Sequence, residues 1–94
     1  MFFSVVIPSY NQLPKIQKLI ASLEKQSYPL TSFEVIISDD GSTDDIATFL
    51  KNYNGPLNLK FLIPDQKGSR AKTRNRGIRI ASGTHILFLD GDLS

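Results

Sequence analysis

The sequence predicts an α/β domain in three layers, with helices on both faces of a parallel sheet whose strand order is 3-2-1-4. Four short runs, at residues 3–7, 33–37, 59–63 and 86–89, are apolar almost throughout, as strands buried on both faces should be. Segments with helical periodicity separate these runs, the alternation expected of parallel strands joined by crossover helices. Such crossovers are almost always right-handed, so the order should reverse between the first and fourth strands. Open α/β sheets bind ligands at that reversal, beyond the carboxyl ends of the strands.

The first strand runs into Pro8-Ser9-Tyr10-Asn11. After it, Leu13, Ile16, Leu19, Ile20 and Leu23 recur at three- and four-residue intervals, with Pro14 where the first turn of a helix tolerates proline. Asn11 is the expected cap, and Ser27-Tyr28-Pro29 ends the helix. The second strand is followed by Ser38-Asp39-Asp40-Gly41-Ser42 and by a helix carrying Ile46, Phe49, Leu50 and Tyr53 on one face. Ser42 and Thr43 are its cap candidates, Asp44 and Asp45 favour its positive end, and Asn54-Gly55-Pro56 stops it. The third helix is predicted over 69–81, with Ala71, Ile78 and Ala81 inward, Gly77 marking a close approach of backbones and Gly83 closing it. His85 begins the fourth strand with no second histidine nearby and reads as structural.

Ninety-four residues make one domain, and 40% hydrophobic with 21% charged residues is an ordinary globular balance that excludes disordered and fibrous classes. The absence of cysteine removes disulfides and thiolate metal sites. The apolar start lacks a basic leader and breaks at Pro8, and no apolar stretch approaches the roughly 18 residues of a membrane span. Cytoplasm is the default expectation, with any membrane association supplied by other segments of a longer parent. The net charge of +2 conceals a local excess. Lys67, Arg70, Lys72, Arg74, Arg76 and Arg79 are six of the eleven basic residues, and no acid interrupts them. Such a run serves as a solvated face, a nucleic-acid patch or one wall of a phosphate site.

Three polar loops should converge at the reversal. Asp90-Gly91-Asp92 offers two hard oxygen donors suited to Mg²⁺ or Mn²⁺ shared with phosphates, although Asp-Gly is also a common surface turn. Asp39 and Asp40 are adjacent on an extended backbone and so point to opposite sides. One can bind a base or sugar while the other braces the loop. Pro8 fixes the chain's exit from strand one, Ser9 offers a hydroxyl and Tyr10 an aromatic face for a base. Arg70 and Arg74 lie near a helix start whose dipole also attracts anions, while Lys72, Arg76 and Arg79 are expected outward and solvated.

These motifs, in order, make the chain similar to the inverting family-2 glycosyltransferases of the Rossmann-like GT-A fold over essentially its whole length. The resemblance rests on Val5-Val6-Ile7-Pro8-Ser9-Tyr10-Asn11, on Ser38-Asp39-Asp40-Gly41-Ser42-Thr43-Asp44, on Arg74-Asn75-Arg76-Gly77-Ile78 within 68–83, and on Leu87-Phe88-Leu89-Asp90-Gly91-Asp92. It implies a nucleotide-diphosphate-sugar donor, most simply a UDP-sugar. Ser9 and Tyr10 would surround the base and Asp40 would bond it, with Arg70 or Arg74 nearby. Asp90 would touch the ribose, and Asp92 would hold the divalent cation that bridges the phosphates. The family reaction displaces the nucleotide in line with an acceptor hydroxyl, with inversion, and needs a carboxylate base. No residue here matches that base. The chain is therefore expected to be the donor-binding half of a longer enzyme and inactive alone, with the outer edge of strand 84–89 free to pair with another chain.

Other readings fit less well. A dinucleotide-binding oxidoreductase needs a glycine fingerprint after strand one, a P-loop is missing, and a phospho-receiver domain would carry its acids after strand one. A sugar nucleotidyltransferase would favour a glycine-rich basic loop there. A non-enzymatic nucleic-acid module could use the basic helix, but the acidic loops would repel a polyanion.

Overall fold

The computed structural model describes residues 2–26, 29–63 and 70–89, with the side chains of 70–74 outside the description. Strand β1 (Phe3–Ser9) is followed by helix α1 (Leu13–Lys25) and, after one 3-10 turn at Leu30–Ser32, by β2 (Phe33–Asp39). Helix α2 (Ile46–Lys51), β3 (Leu59–Leu62), α3 (Arg70–Ile80) and β4 (His85–Phe88) complete the order. The sheet runs β3-β2-β1-β4 with every neighbouring pair parallel, as the alternation of apolar runs and helices predicts.

One face of the sheet carries the core. Val5 and Ile7 of β1 and Phe33, Val35 and Ile37 of β2 pack with Ile16 and Ile20 of α1 and Ile46 and Leu50 of α2. The opposite face presents Ser4, Val6, Glu34 and Ser38, all buried, and α3 lies over it. Gly77 is the point of closest approach, since a Cβ there would stand 2.5 Å from Val6 Cγ1. Gly77 lets α3 come close to β1 at Val6, on a face that mixes Ser4, Glu34 and Ser38 with the buried Val6 and Ile36.

That close approach explains a departure from the predicted helix. Ile78, expected inward, is 38% exposed, because the face of α3 that meets the sheet is centred on Gly77. Helix α2 is also shorter than its periodicity suggests. It ends at Lys51, and Tyr53 instead donates its hydroxyl to Glu24 of α1 at 2.5 Å while accepting from the Leu57 amide at 3.2 Å. The third departure is β4. It is apolar like the other strands, yet Ile86, Leu87 and Phe88 are all exposed, so this edge strand is not buried as β1 and β2 are. Beside it, Phe3, Val5, Leu23, Gln26, Phe33, Leu87 and Leu89 line an apolar depression of about 360 Å³.

Glu34 lies inside a run read as strand and is completely buried. It accepts from Ser4 Oγ at 2.6 Å and from the amide and hydroxyl of Ser82 at 2.7 and 3.0 Å, and it pairs with Lys60 Nζ at 2.7 Å. Burial works to raise its pKa, but Lys60, Ser4 and Ser82 outweigh it and lower the value to about 2. The Gly83 amide donates to Ser4 Oγ at 2.7 Å, so this cluster ties the turn between α3 and β4 to the start of β1 and β2.

Candidate functional site

The carboxyl ends of β1 and β2 are adjacent, with Pro8 opposite Ser38 and Ser9 opposite Asp39 in register. Asp39 is fully buried and accepts four hydrogen bonds: Ser9 Oγ at 2.8 Å, Gly41 N at 3.0 Å, Ser42 N at 2.6 Å and a short one from Ser42 Oγ. Its two oxygens are thus committed to holding the loop. Gly41 supplies the left-handed backbone, at φ 87°, that turns its amide back toward Asp39.

The ladder continues one step beyond both strands, because the Asp40 amide donates to Ser9 O at 2.9 Å. Alternation along an extended chain therefore directs Asp40 to the sheet face covered by α3, opposite Asp39. Asp40 is 7% exposed and follows the carboxyl end of β2, next to β1, the strand that borders the order reversal. Of the two roles expected for the pair, bracing the loop falls to Asp39. Tyr10, directly after Ser9 at the end of β1, is 39% exposed.

Asn11 does not cap α1. It adopts a left-handed backbone, φ 50°, and reaches across to the second loop. Its amide donates to Ser42 Oγ at 2.8 Å, and its Oδ1 accepts from Thr43 N at 2.8 Å and Thr43 Oγ1 at 3.3 Å. The N-cap residues of α1 and α2 are Gln12 and Asp45, neither with a side-chain cap bond, so the expected caps Asn11, Ser42 and Thr43 are spent joining the two loops. Asp44 serves the helix starts as its position suggests, and more widely: it accepts from Ile46 N of α2 and from Leu13 N of α1, both at 3.2 Å.

Of the basic segment, α3 begins at Arg70, while the side chains of Arg70, Lys72 and Arg74 lie outside the described residues. Arg79 is exposed as expected. Arg76 is not: it is half-buried, and its Nη1 is buried without a hydrogen-bond partner among the described residues. The expected metal ligands Asp90 and Asp92 also fall outside the description. The ladder of β4 extends to Leu89, whose amide donates to Val6 O at 3.0 Å, and Asp90 is the next residue. No three histidine, aspartate or glutamate side chains gather for a metal among the described residues, and no described helix is long and apolar enough to cross a membrane.

An open parallel sheet with polar loops gathered at its order reversal defines a ligand-binding α/β domain. The sequence profile of Glycosyl transferase family 2 matches residues 4–94, and the chain belongs to that family. It is 41% identical over 93 residues to the poly(ribitol-phosphate) beta-N-acetylglucosaminyltransferase TarS of Staphylococcus aureus, covering 98% of this chain and 16% of TarS. It is 38% identical over 94 residues to the glycosyltransferase AglE of Haloferax volcanii, covering 99% of this chain and 31% of AglE. The crystal structure of TarS 1-349 in complex with UDP-GlcNAc superimposes with a TM-score of 0.88 at 41% identity, over 98% of this chain and 27% of that one. The mannosyltransferase PcManGT from Pyrobaculum calidifontis, in complex with GDP-Man and Mn²⁺, does so with a TM-score of 0.87 at 26% identity, over 96% of this chain and 27% of that one. The GT-A fold expected from the motifs is thus the fold observed, and the chain spans less than a third of these relatives.

Proposed function

We propose that this chain is the donor-binding portion of a glycosyltransferase that moves a sugar from a nucleotide diphosphate, most simply UDP, to an acceptor hydroxyl with inversion. The observation that carries this reading is the division between Asp39 and Asp40. Asp39 is saturated by four donors from Ser9, Gly41 and Ser42, whereas backbone alternation directs Asp40 to the other face, at the end of the strand next to the one that leads into exposed Tyr10. An aromatic face and a carboxylate held at fixed spacing suit a nucleobase, which stacks on one and donates a hydrogen bond to the other. In this reading Pro8 and Ser9 shape the base pocket and Asp90 bonds the ribose. The complexes of TarS with UDP-GlcNAc and of PcManGT with GDP-Man lend support to a donor of this class.

The diphosphate belongs at α3. The starts of α1 and α2 already share the carboxylate of Asp44, so an anion from solution would compete with a resident charge there. The remaining helix start, at Arg70, carries Arg70 and Arg74 and no acid. Asp92, with Asp90 beside it, offers the hard oxygen donors that fit Mn²⁺ or Mg²⁺. Such an ion, when bound, neutralises charge developing on the leaving diphosphate. The protein's own groups hold the base, orient the sugar and receive the phosphates. The base that deprotonates the acceptor is assigned to none of these residues, and the 94 residues alone are proposed to bind donor without transferring sugar. The outer edge of β4, the last strand of the described sheet, is proposed to pair with a further chain.

Titration of UDP with and without Mn²⁺, set against a DNA oligonucleotide, tests the reading. Metal-dependent UDP binding that Asp92→Ala abolishes and Asp40→Ala weakens is the expected result. Salt-sensitive DNA binding indifferent to Asp92→Ala would instead favour a nucleic-acid module.

A further inference from the structure

We propose that Asn11 is a positioning residue for the nucleotide: a left-handed latch that sets the distance between Tyr10 and Asp40. The proposal rests on the donor-site reading above and names the residue on which that site's geometry depends. Tyr10 sits between Ser9 and Asn11, and Asp40 sits between Asp39 and the Gly41-Ser42 turn. The flanking residues are joined in a closed ring. Ser9 Oγ donates to Asp39, Ser42 donates to Asp39 through both its amide and its hydroxyl, and the Asn11 amide donates to Ser42 Oγ. Asn11 Oδ1 then reaches past the ring to the amide and hydroxyl of Thr43.

Two properties of Asn11 act together. Its φ of 50° reverses the chain immediately after Tyr10, a conformation that asparagine and glycine adopt far more readily than other residues. Its carbonyl oxygen holds the second loop two positions beyond the turn glycine, and only a short side chain ending in an acceptor spans that gap. Asn11 is exposed, so these bonds bury little surface. Their consequence is geometric rather than a matter of bulk stability. Without the bond to Thr43, the Tyr10 loop and the Asp40 loop are still joined through Asp39 and through the Asn11 backbone amide on Ser42 Oγ, but nothing from Asn11 holds the second loop beyond Ser42.

The two properties separate by substitution. Asn11→Gly keeps the left-handed backbone and removes the acceptor, while Asn11→Asp keeps both. Binding of UDP with Mn²⁺ by titration calorimetry, amide exchange at Thr43 and thermal melting are measured on the full chain and both variants. The expected result is that Asn11→Gly weakens UDP binding by about tenfold and speeds Thr43 exchange while the melting transition stays cooperative. Asn11→Asp restores both binding and protection. Faster Thr43 exchange with unchanged UDP affinity in Asn11→Gly overturns the proposal, because the latch would then hold the loops without setting the site. Absence of UDP binding by the unaltered chain overturns the donor reading and this proposal with it.

Discussion

Ser9 and Asp39, thirty residues apart in the chain, meet at the ends of β1 and β2 with the hydroxyl 2.8 Å from the buried carboxylate. The contact is the root of the site. Strand register brings the two residues side by side, and the same carboxylate then gathers Gly41 and Ser42.

Asp39 and Asp40 should therefore fail differently. Asp39→Ala leaves Ser9, Gly41 and Ser42 without their acceptor in a buried setting, and a loss of about 3 kcal/mol is expected, read as a lower denaturation midpoint. Asp40→Asn should leave that framework in place and lower UDP affinity, measured by calorimetry. If Asp40→Asn bound UDP as tightly as the unaltered chain, the assignment of Asp40 to the base would be wrong.

Glu34 predicts the acid limb of stability. Its folded pKa lies near about 2, below the ordinary 4.5, so its contribution is fully present above the unfolded value and disappears as pH falls from about 4.5 through about 2. A shift of this size corresponds to a contribution on the order of 3 kcal/mol. Urea midpoints measured from pH 6 to pH 2 should drop steeply for the unaltered chain and more shallowly for Glu34→Gln, which is less stable at neutral pH because Lys60 loses its partner.

Gly77 predicts a steric coupling. An alanine Cβ would stand 2.5 Å from Val6 Cγ1, and Val6 is fully buried, so the clash cannot be relieved by swinging a side chain into solvent. Gly77→Ala should cost about 1–3 kcal/mol despite alanine's better helix propensity. Combined with Val6→Ala it should cost less than the two single changes together, a coupling that denaturant melts of the four proteins in the cycle would reveal.

How far the sequence discloses all this depends on how local each cause is. Strands β1 to β3 are legible because continuous apolar runs between turn residues admit few other readings, and the right-handed crossover rule then orders them. The exposure of β4 is not legible, since hydrophobicity records the wish to be covered and not what does the covering. Asn11 before a helix reads as a cap. Its actual partner, Thr43, is thirty-two residues away and comes within reach only when β1 and β2 pair. Glu34 inside an apolar run gives no hint of its role until folding brings Lys60 and Ser82 to it. A bracing aspartate at the end of β2 is legible from its position, but that it is Asp39 follows only once register sets Ser9 beside it.

Asp44 gives the last prediction. One carboxylate accepts from Leu13 N and Ile46 N, so it occupies the start of α1, where dinucleotide-binding α/β domains receive a pyrophosphate. A resident charge at that place both stabilises two helix starts and directs a diphosphate elsewhere. Asp44→Ala should lower stability by about 1–2 kcal/mol and open an anion site at the thirteen-residue helix α1. Sulfate stabilises most proteins by exclusion from their surfaces, so the informative quantity is the difference between variant and unaltered chain at equal ionic strength. Millimolar sulfate should recover part of the lost melting temperature in Asp44→Ala and do little for the unaltered chain. An equal response in both would mean that the carboxylate merely caps the helices, and that the diphosphate's exclusion from α1 has another cause.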